Sequence, residues 1–95
     1  MHIQIQTIHF TGDKELQDLI NKKVENLTII EDRLISAKVF LKLEKASSYN
    51  NKLIEIILHS SDAEYFAKKQ SNSFEKSVDL VLQALRKQII KHKQK

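Results

Sequence analysis

Polar and apolar residues alternate at the opening of the chain. In residues 2–10 (HIQIQTIHF), Ile3 and Ile5 fall on one side, the period-two pattern of a strand with one wet face. Thr11-Gly12-Asp13 breaks that pattern at the only glycine, with Thr11 or Asp13 as the N-cap of a helix. Leu16, Leu19, Ile20, Val24 and Leu27 then recur at helical spacing, which predicts an amphipathic helix over about 14–28. After a polar turn at Glu31-Asp32-Arg33, the residues Ile35, Ala37, Val39, Leu41 and Leu43 alternate with Ser36, Lys38, Phe40, Lys42 and Glu44. This is the clearest strand in the sequence.

A polar stretch, Ala46-Ser47-Ser48-Tyr49-Asn50-Asn51, reads as a hairpin loop leading into a third strand at 52–60 (KLIEIILHS). Ser61-Asp62 turns the chain into a fourth strand at about 63–69 (AEYFAKK), and short connections predict antiparallel pairing. A second helix opens near Ser71 to Ser73, with Asn72 and Glu75 at capping-box spacing. Its apolar stripe is Phe74, Val78, Val81, Leu82, Leu85 and Ile89. The order β-α-β-β-β-α predicts an α+β fold: one domain over residues 1–95, a four-stranded sheet with both helices on one face.

Charge sharpens this picture by its position. The net charge is +4, yet residues 86–95 carry Arg86, Lys87, Lys91, Lys93 and Lys95 with no acid, so residues 1–85 sum to −1. Positive charge gathered at one end, with a basic C-terminal end at about 90–95, points to an anionic partner. A solubilising basic tail is the other reading of the same feature. With no cysteine, disulfides and thiolate chemistry are excluded, and a reducing, cytoplasmic setting fits. No apolar run approaches a membrane span, and the N-terminus has no signal-peptide core.

Candidate chemistry is sparse. His2 and His9 lie an odd number of residues apart on one strand and so on opposite faces. His59 and His92 fall on other elements, so no metal site is expected. No serine sits in a nucleophile elbow, and one glycine cannot build a phosphate-cradling loop. Asp62 and Glu64 flank a turn without the apolar cleft that would separate two carboxylate pKa values. The expectation is a non-enzyme with no catalytic residue, no cofactor and no small-molecule substrate.

The basic residues carry more. Arg86 and Lys87 flank the second helix's stripe and Lys91 and Lys93 extend the charge, while Lys22 and Lys23 sit near the end of the first helix. Two helices on one sheet face could bring both groups to one groove, with lysines as mobile point charges and Arg86 as a bidentate phosphate ligand. The competing reading of Lys22 and Lys23 is a solvated helix face, with Asp18–Lys22 as an i,i+4 ion pair. Phe40, outward between Lys38 and Lys42, is placed either to stack on a base or to pack against its strand neighbours. The KH-type Gly-x-x-Gly loop and the RRM signature are absent, whereas the order from the first helix onward, α-β-β-β-α, matches double-stranded-RNA-binding domains.

The segments IQIQTIHFTGDKEL, INKKVENL, AKVFLKLEK and SFEKSVDLVLQALRKQIIKHKQK together resemble the ribosome hibernation promoting factor family, also called ribosome-associated translation inhibitor RaiA (YfiA). The last segment carries most of it: Ser77-Val78-Asp79, then Leu85-Arg86-Lys87-Gln88, then Lys91-His92-Lys93. The resemblance implies a short-form member that binds small-subunit rRNA in the channel between head and body. There it would block the A and P sites, compete with mRNA and tRNA, and inhibit translation in stationary phase or stress. It also implies RNA contacts from Lys22, Lys23, Arg86, Lys87, Lys91 and Lys93. One departure stands out: the family's Asp-x-Tyr before the closing helix is here Asn72-Ser73-Phe74, without the tyrosine. Alternative readings are a dimerisation or protein-interaction module that does not bind ribosomes, and a generic structured-RNA-binding protein.

Overall fold

The computed structural model describes residues 1–8, 10, 12–44 and 49–94. The elements are β1 (His2–Ile8), α1 (Lys14–Glu25) followed by a 3-10 turn (Asn26–Ile29), β2 (Leu34–Leu43), β3 (Lys52–Ser60), β4 (Glu64–Ser71) and α2 (Phe74–Lys93). The α+β order read from the sequence is therefore the observed one. His9, Thr11, the 46–48 part of the hairpin and Lys95 lie outside the described residues.

The sheet order is β1-β2-β3-β4. β2, β3 and β4 pair antiparallel through short turns, while β1 lies parallel to β2 with Ile5 opposite Val39. Parallel neighbours need a long crossover, and α1 with its 3-10 turn provides it. Both helices cover one sheet face. Val39, Leu41, Ile54, Ile56 and Leu58 from the strands meet Ile20, Val24 and Leu27 from the first helical segment. From α2 they meet Val78, Val81, Leu82, Leu85 and Ile89, all essentially without solvent contact.

The caps follow the local chemistry of short polar side chains. Asp13 accepts the Leu16 N–H at 2.7 Å, and Ser73 accepts the Lys76 N–H at 3.1 Å. The α2 cap is thus Ser73 rather than Asn72, and its third helical residue is Lys76, so the expected Asn72–Glu75 capping box does not form. Ser77 is fully buried. Its hydroxyl lies 2.6 Å from Ser71 Oγ and 2.6 Å from the Lys52 carbonyl oxygen, which ties α2 to the β3 and β4 ends.

One strand expectation fails, for an identifiable reason. The register between β2 and β3 shifts between Leu34 and Ser36, so a bulge takes up Ile35 as the extra residue. Leu34 (6% exposed) occupies the core position, and Ile35 (59% exposed) points to water. Alternation alone cannot show such a slip, because one added residue moves a side chain to the opposite face. Leu34→Ala should therefore cost about 2–5 kcal/mol of unfolding free energy in urea titration, and Ile35→Ser within about 0.5 kcal/mol of nothing. Equal costs would place both side chains in the core.

Candidate nucleic-acid interface

The two helices run in the same direction along the sheet. Phe10 stacks on Phe74 with ring centroids 5.0 Å apart where the helices begin. Midway, Lys23 Nζ donates to Asp79 Oδ1 at 2.6 Å. Beyond the end of α1, Lys93 Nζ donates to the Ile30 carbonyl at 2.7 Å. Between the helices lies an open groove lined by Leu19, Lys22, Lys23, Asn26, Asp79, Leu82 and Arg86. Leu19 also lines a second concavity, toward the helix starts, with Asp13, Glu15, Glu75 and the Phe10–Phe74 pair. The groove is therefore acidic where the helices start and basic along its later half.

The six basic residues singled out in the sequence divide three ways. Lys22, Lys23 and Arg86 come together in the groove. Lys93 lies on the same flank of α2 but is held by the Ile30 carbonyl. Lys87 and Lys91 are exposed and, at 100° per residue, stand on the back of α2 away from the groove. The side chains of Lys22, Arg86, Lys87 and Lys91 make no hydrogen bond or ion pair among the described residues, and none joins Asp18 to Lys22.

Asp79 is the groove residue that the charge pattern of the sequence does not single out. It neutralises Lys23, so the groove holds two unpaired cations rather than three. The signal was present in its spacing: Asp79 lies seven residues before Arg86, two turns along the same helix flank. The clustered cations also have a role within the fold. Lys22 and Lys23 sit in the last turn of α1, and Lys91, His92 and Lys93 in the last turn of α2, where positive charge complements the helix dipole.

The basic end of α2 is anchored by a chain of polar contacts from two turns. Glu31, only 1% exposed, takes a two-pronged contact from Arg33, Nε at 3.0 Å and Nη2 at 3.1 Å, and also accepts the Arg33 N–H at 3.0 Å. Arg33 Nη1 lies 3.2 Å from Asp62 Oδ2, and the same oxygen is 3.4 Å from His92 Nε2 on α2. The Tyr65 ring packs edge-on to His92 at 5.9 Å. Asp62 is thus committed to Arg33 and His92, while Glu64 lies 3.3 Å from His59, so the two carboxylates have separate partners. Among the described residues, no three His, Asp or Glu side chains are placed to share a metal ion. No helix among them is long and apolar enough to cross a membrane.

Hydrogen bonds from Arg33 hold the Glu31 carboxyl below its ordinary pKa. Asp62 is lowered by Ser60 first and then by His92 and Arg33. Burial pushes the Tyr65 phenol up.

This geometry defines a class: a two-layer β-α-β-β-β-α unit with a cationic groove between parallel helices. The chain belongs to the Sigma 54 modulation protein / S30EA ribosomal protein family, whose model matches residues 3–95. It is 34% identical over 95 residues to the ribosome hibernation promoting factor of Azotobacter vinelandii, covering all of this chain and 85% of that protein. Its fold is similar to that of a ribosomal subunit interface protein from Coxiella burnetii, with a TM-score of 0.88 at 23% identity over the whole of both chains. It is also similar to the N-terminal domain of Thermus thermophilus Protein Y, with a TM-score of 0.79 at 19% identity, covering 94% of this chain and 96% of that one. At those identities the two structures speak for the fold alone. The family resemblance read from the sequence is the family the chain belongs to.

The lowered carboxylates give a pH prediction. A carboxyl held below its ordinary value is ionised in the folded state where the unfolded chain has begun to bind protons. Its stabilisation is complete above the ordinary carboxylate range and is lost as pH falls below about 4. Glu31→Gln should lower stability at pH 7 by about 1–2 kcal/mol, the low end for a charged hydrogen bond because Arg33 stays half in water. It should also flatten the acid limb of the stability–pH curve. An acid limb as steep as the parent's would assign the proton uptake to other groups.

Proposed function

We propose that this protein is a single ribosome-binding domain over residues 1–95 that acts in the cytoplasm as a hibernation factor. It binds small-subunit rRNA in the mRNA and tRNA channel, blocks the A and P sites, and holds idle ribosomes out of translation. It is a binder rather than a catalyst and requires no cofactor. The observation that carries this reading is the convergence of Lys22, Lys23 and Arg86, from both helices, on one open groove. Family membership supports it, as does the name of the 34% identical relative, a ribosome hibernation promoting factor.

The mechanism is electrostatic and steric. Phosphates of a structured RNA enter the groove, where Arg86 offers two parallel N–H donors and Lys22 a mobile charge. Such contacts set affinity and orientation with little sequence readout, and the body of the domain excludes other occupants of the channel. Lys87 and Lys91, on the back of α2, would reach a second stretch of backbone. The domain is then gripped along two lines rather than one.

Co-sedimentation with small subunits over a salt series is the test. Four phosphate contacts, from Lys22, Arg86, Lys87 and Lys91, predict a log–log slope of roughly −2.8 to −3.6 and competition with initiator tRNA. Reversal of the groove pair (Lys22→Glu with Arg86→Glu), or of the back pair (Lys87→Glu with Lys91→Glu), should each reduce that slope by about 2. Asp79→Asn should act in the opposite sense, releasing Lys23 and steepening the slope by up to about 1. No pelleting at any salt would reject the proposal, and salt-tolerant self-association in its place would favour a dimerisation module.

A further inference from the structure

The sheet face turned away from the helices has no helix over it; Leu53, at the hairpin end of β3, is 3% exposed there, and the rest of the face is not uniformly polar. By strand alternation, Phe40 of β2, Ile57 of β3 and Phe66 of β4 all point outward. Ile57 pairs directly with Phe66 and, on its other side, with Lys38. Phe40 lies in the next row, opposite Glu55, which in turn faces Lys68. The apolar residues span three strands, Ile57 and Phe66 in one row and Phe40 in the next, with Lys38 completing the first row and Lys68 the second. Packing against strand neighbours accounts for half-buried Phe40 and Ile57. It does not account for Phe66, whose side chain is 48% exposed at the sheet's edge.

Phe66 is also held from behind. Gln88 of α2 accepts the Phe66 N–H at 3.3 Å and donates to the Phe66 carbonyl at 2.7 Å. This amide clip occupies the outer edge of β4 at that residue, so another strand cannot pair there, and it fixes the backbone from which the ring projects. On β1 and β2, Gln4, Gln6, Lys38 and Phe40 rim a shallow concavity on the same face. Among the described residues no carboxylate lies within ion-pair distance of Lys38, and Lys68 has only a 4.0 Å contact with Glu55.

We propose that this open sheet face is a second RNA-binding surface, one that takes unpaired nucleotides. Bases stack on Phe66 and Phe40, while Lys38 and Lys68 meet the phosphates. The two aromatic positions stand two strands and one row apart, about 12 Å, the reach of a short run of unpaired nucleotides. A protein partner is the poorer fit, because interface cores are depleted in lysine and here lysines are interleaved with the rings. Aromatic platforms set among cations are how single strands are held without sequence readout. The proposal rests on the reading of this protein as an rRNA binder and extends it: helices grip backbone on one side, and the sheet stacks bases on the other.

The test is anisotropy titration of a labelled, unstructured RNA octamer, run beside ribosome pelleting. Phe66→Ala should weaken octamer binding about tenfold. Phe66→Leu, which keeps apolar bulk without a ring face, should weaken it nearly as much, and Phe66→Tyr should restore it. Lys38→Gln should reduce the salt slope by about 0.7. Unchanged thermal unfolding of the Phe66 variants separates stacking from folding, and the Phe66 dependence should persist in a Lys22→Gln, Arg86→Gln background. Parental binding by Phe66→Ala or Phe66→Leu overturns the proposal, as does failure of the parent to bind the octamer. Self-association lost in Phe66→Ala also overturns it, since the face would then belong to a second copy. Failure of the parent to pellet with ribosomes rejects the hibernation reading, while the octamer titration still judges the sheet face.

Discussion

The apolar seam between α2 and the inner faces of β3 and β4 is the contact on which the other features depend. Val78, Val81, Leu82, Leu85 and Ile89 occupy one stripe of α2, and burying it fixes the rotation of that helix about its own axis. Once the rotation is fixed, every polar residue of α2 has its direction assigned. Asp79 and Arg86 turn toward α1, Gln88 turns toward the β4 edge, and Lys87 turns straight outward. The groove and the clipped edge strand are two consequences of one hydrophobic interface.

The Ser77-Val78-Asp79 triplet shows how that interface is indexed. Val78 enters the core, Ser77 on one side bonds the Lys52 carbonyl, and Asp79 on the other bonds Lys23. A buried hydroxyl with both partners met is neutral to mildly stabilising, while a quarter-turn slip of the helix would strand it among apolar atoms. The triplet works as a register mark that reads the sheet end with one residue and the neighbouring helix with another. The sequence match to the family draws attention to it as a motif. In the structure its role is positional, and it sets where Arg86 emerges two turns later.

Periodicity made most of the fold legible, because the decisive pattern is local. The bounds of β3 match residue for residue, and both helices lie where their stripes place them. The misses are those that pattern cannot encode. Ile35 and Leu34 exchange roles through a bulge visible only in pairing register. Glu31 reads as a turn acid yet is the most deeply buried carboxylate among the described residues, held there by Arg33, which reaches it from a half-exposed position. Within the groove, cation types and helix assignments could be read from the sequence, but the loss of one charge to Asp79 depended on a contact between residues 56 apart. Spacing puts Asp79 on the same flank of α2 as Arg86, but only the packing of the two helices decides that Lys23 is the cation it meets.

Charge anchoring then separates residues that composition treats alike. Lys23 and Lys93 are already bonded within the fold, to a carboxylate and to a carbonyl, whereas Lys22, Arg86, Lys87 and Lys91 face water. An anchored lysine reaches a phosphate only by giving up its internal partner, so its net contribution to binding is the difference between two similar contacts. A free lysine gives up only water and counterions, the exchange that drives salt-dependent association. Affinity for a polyanion should therefore reside in the free set. The anchored set does something else: by holding α1 to α2 and the end of α2 to the Ile30 turn, it fixes the spacing at which the free cations are presented. A surface that reads backbone shape rather than base identity depends on that spacing, because it has little else with which to discriminate.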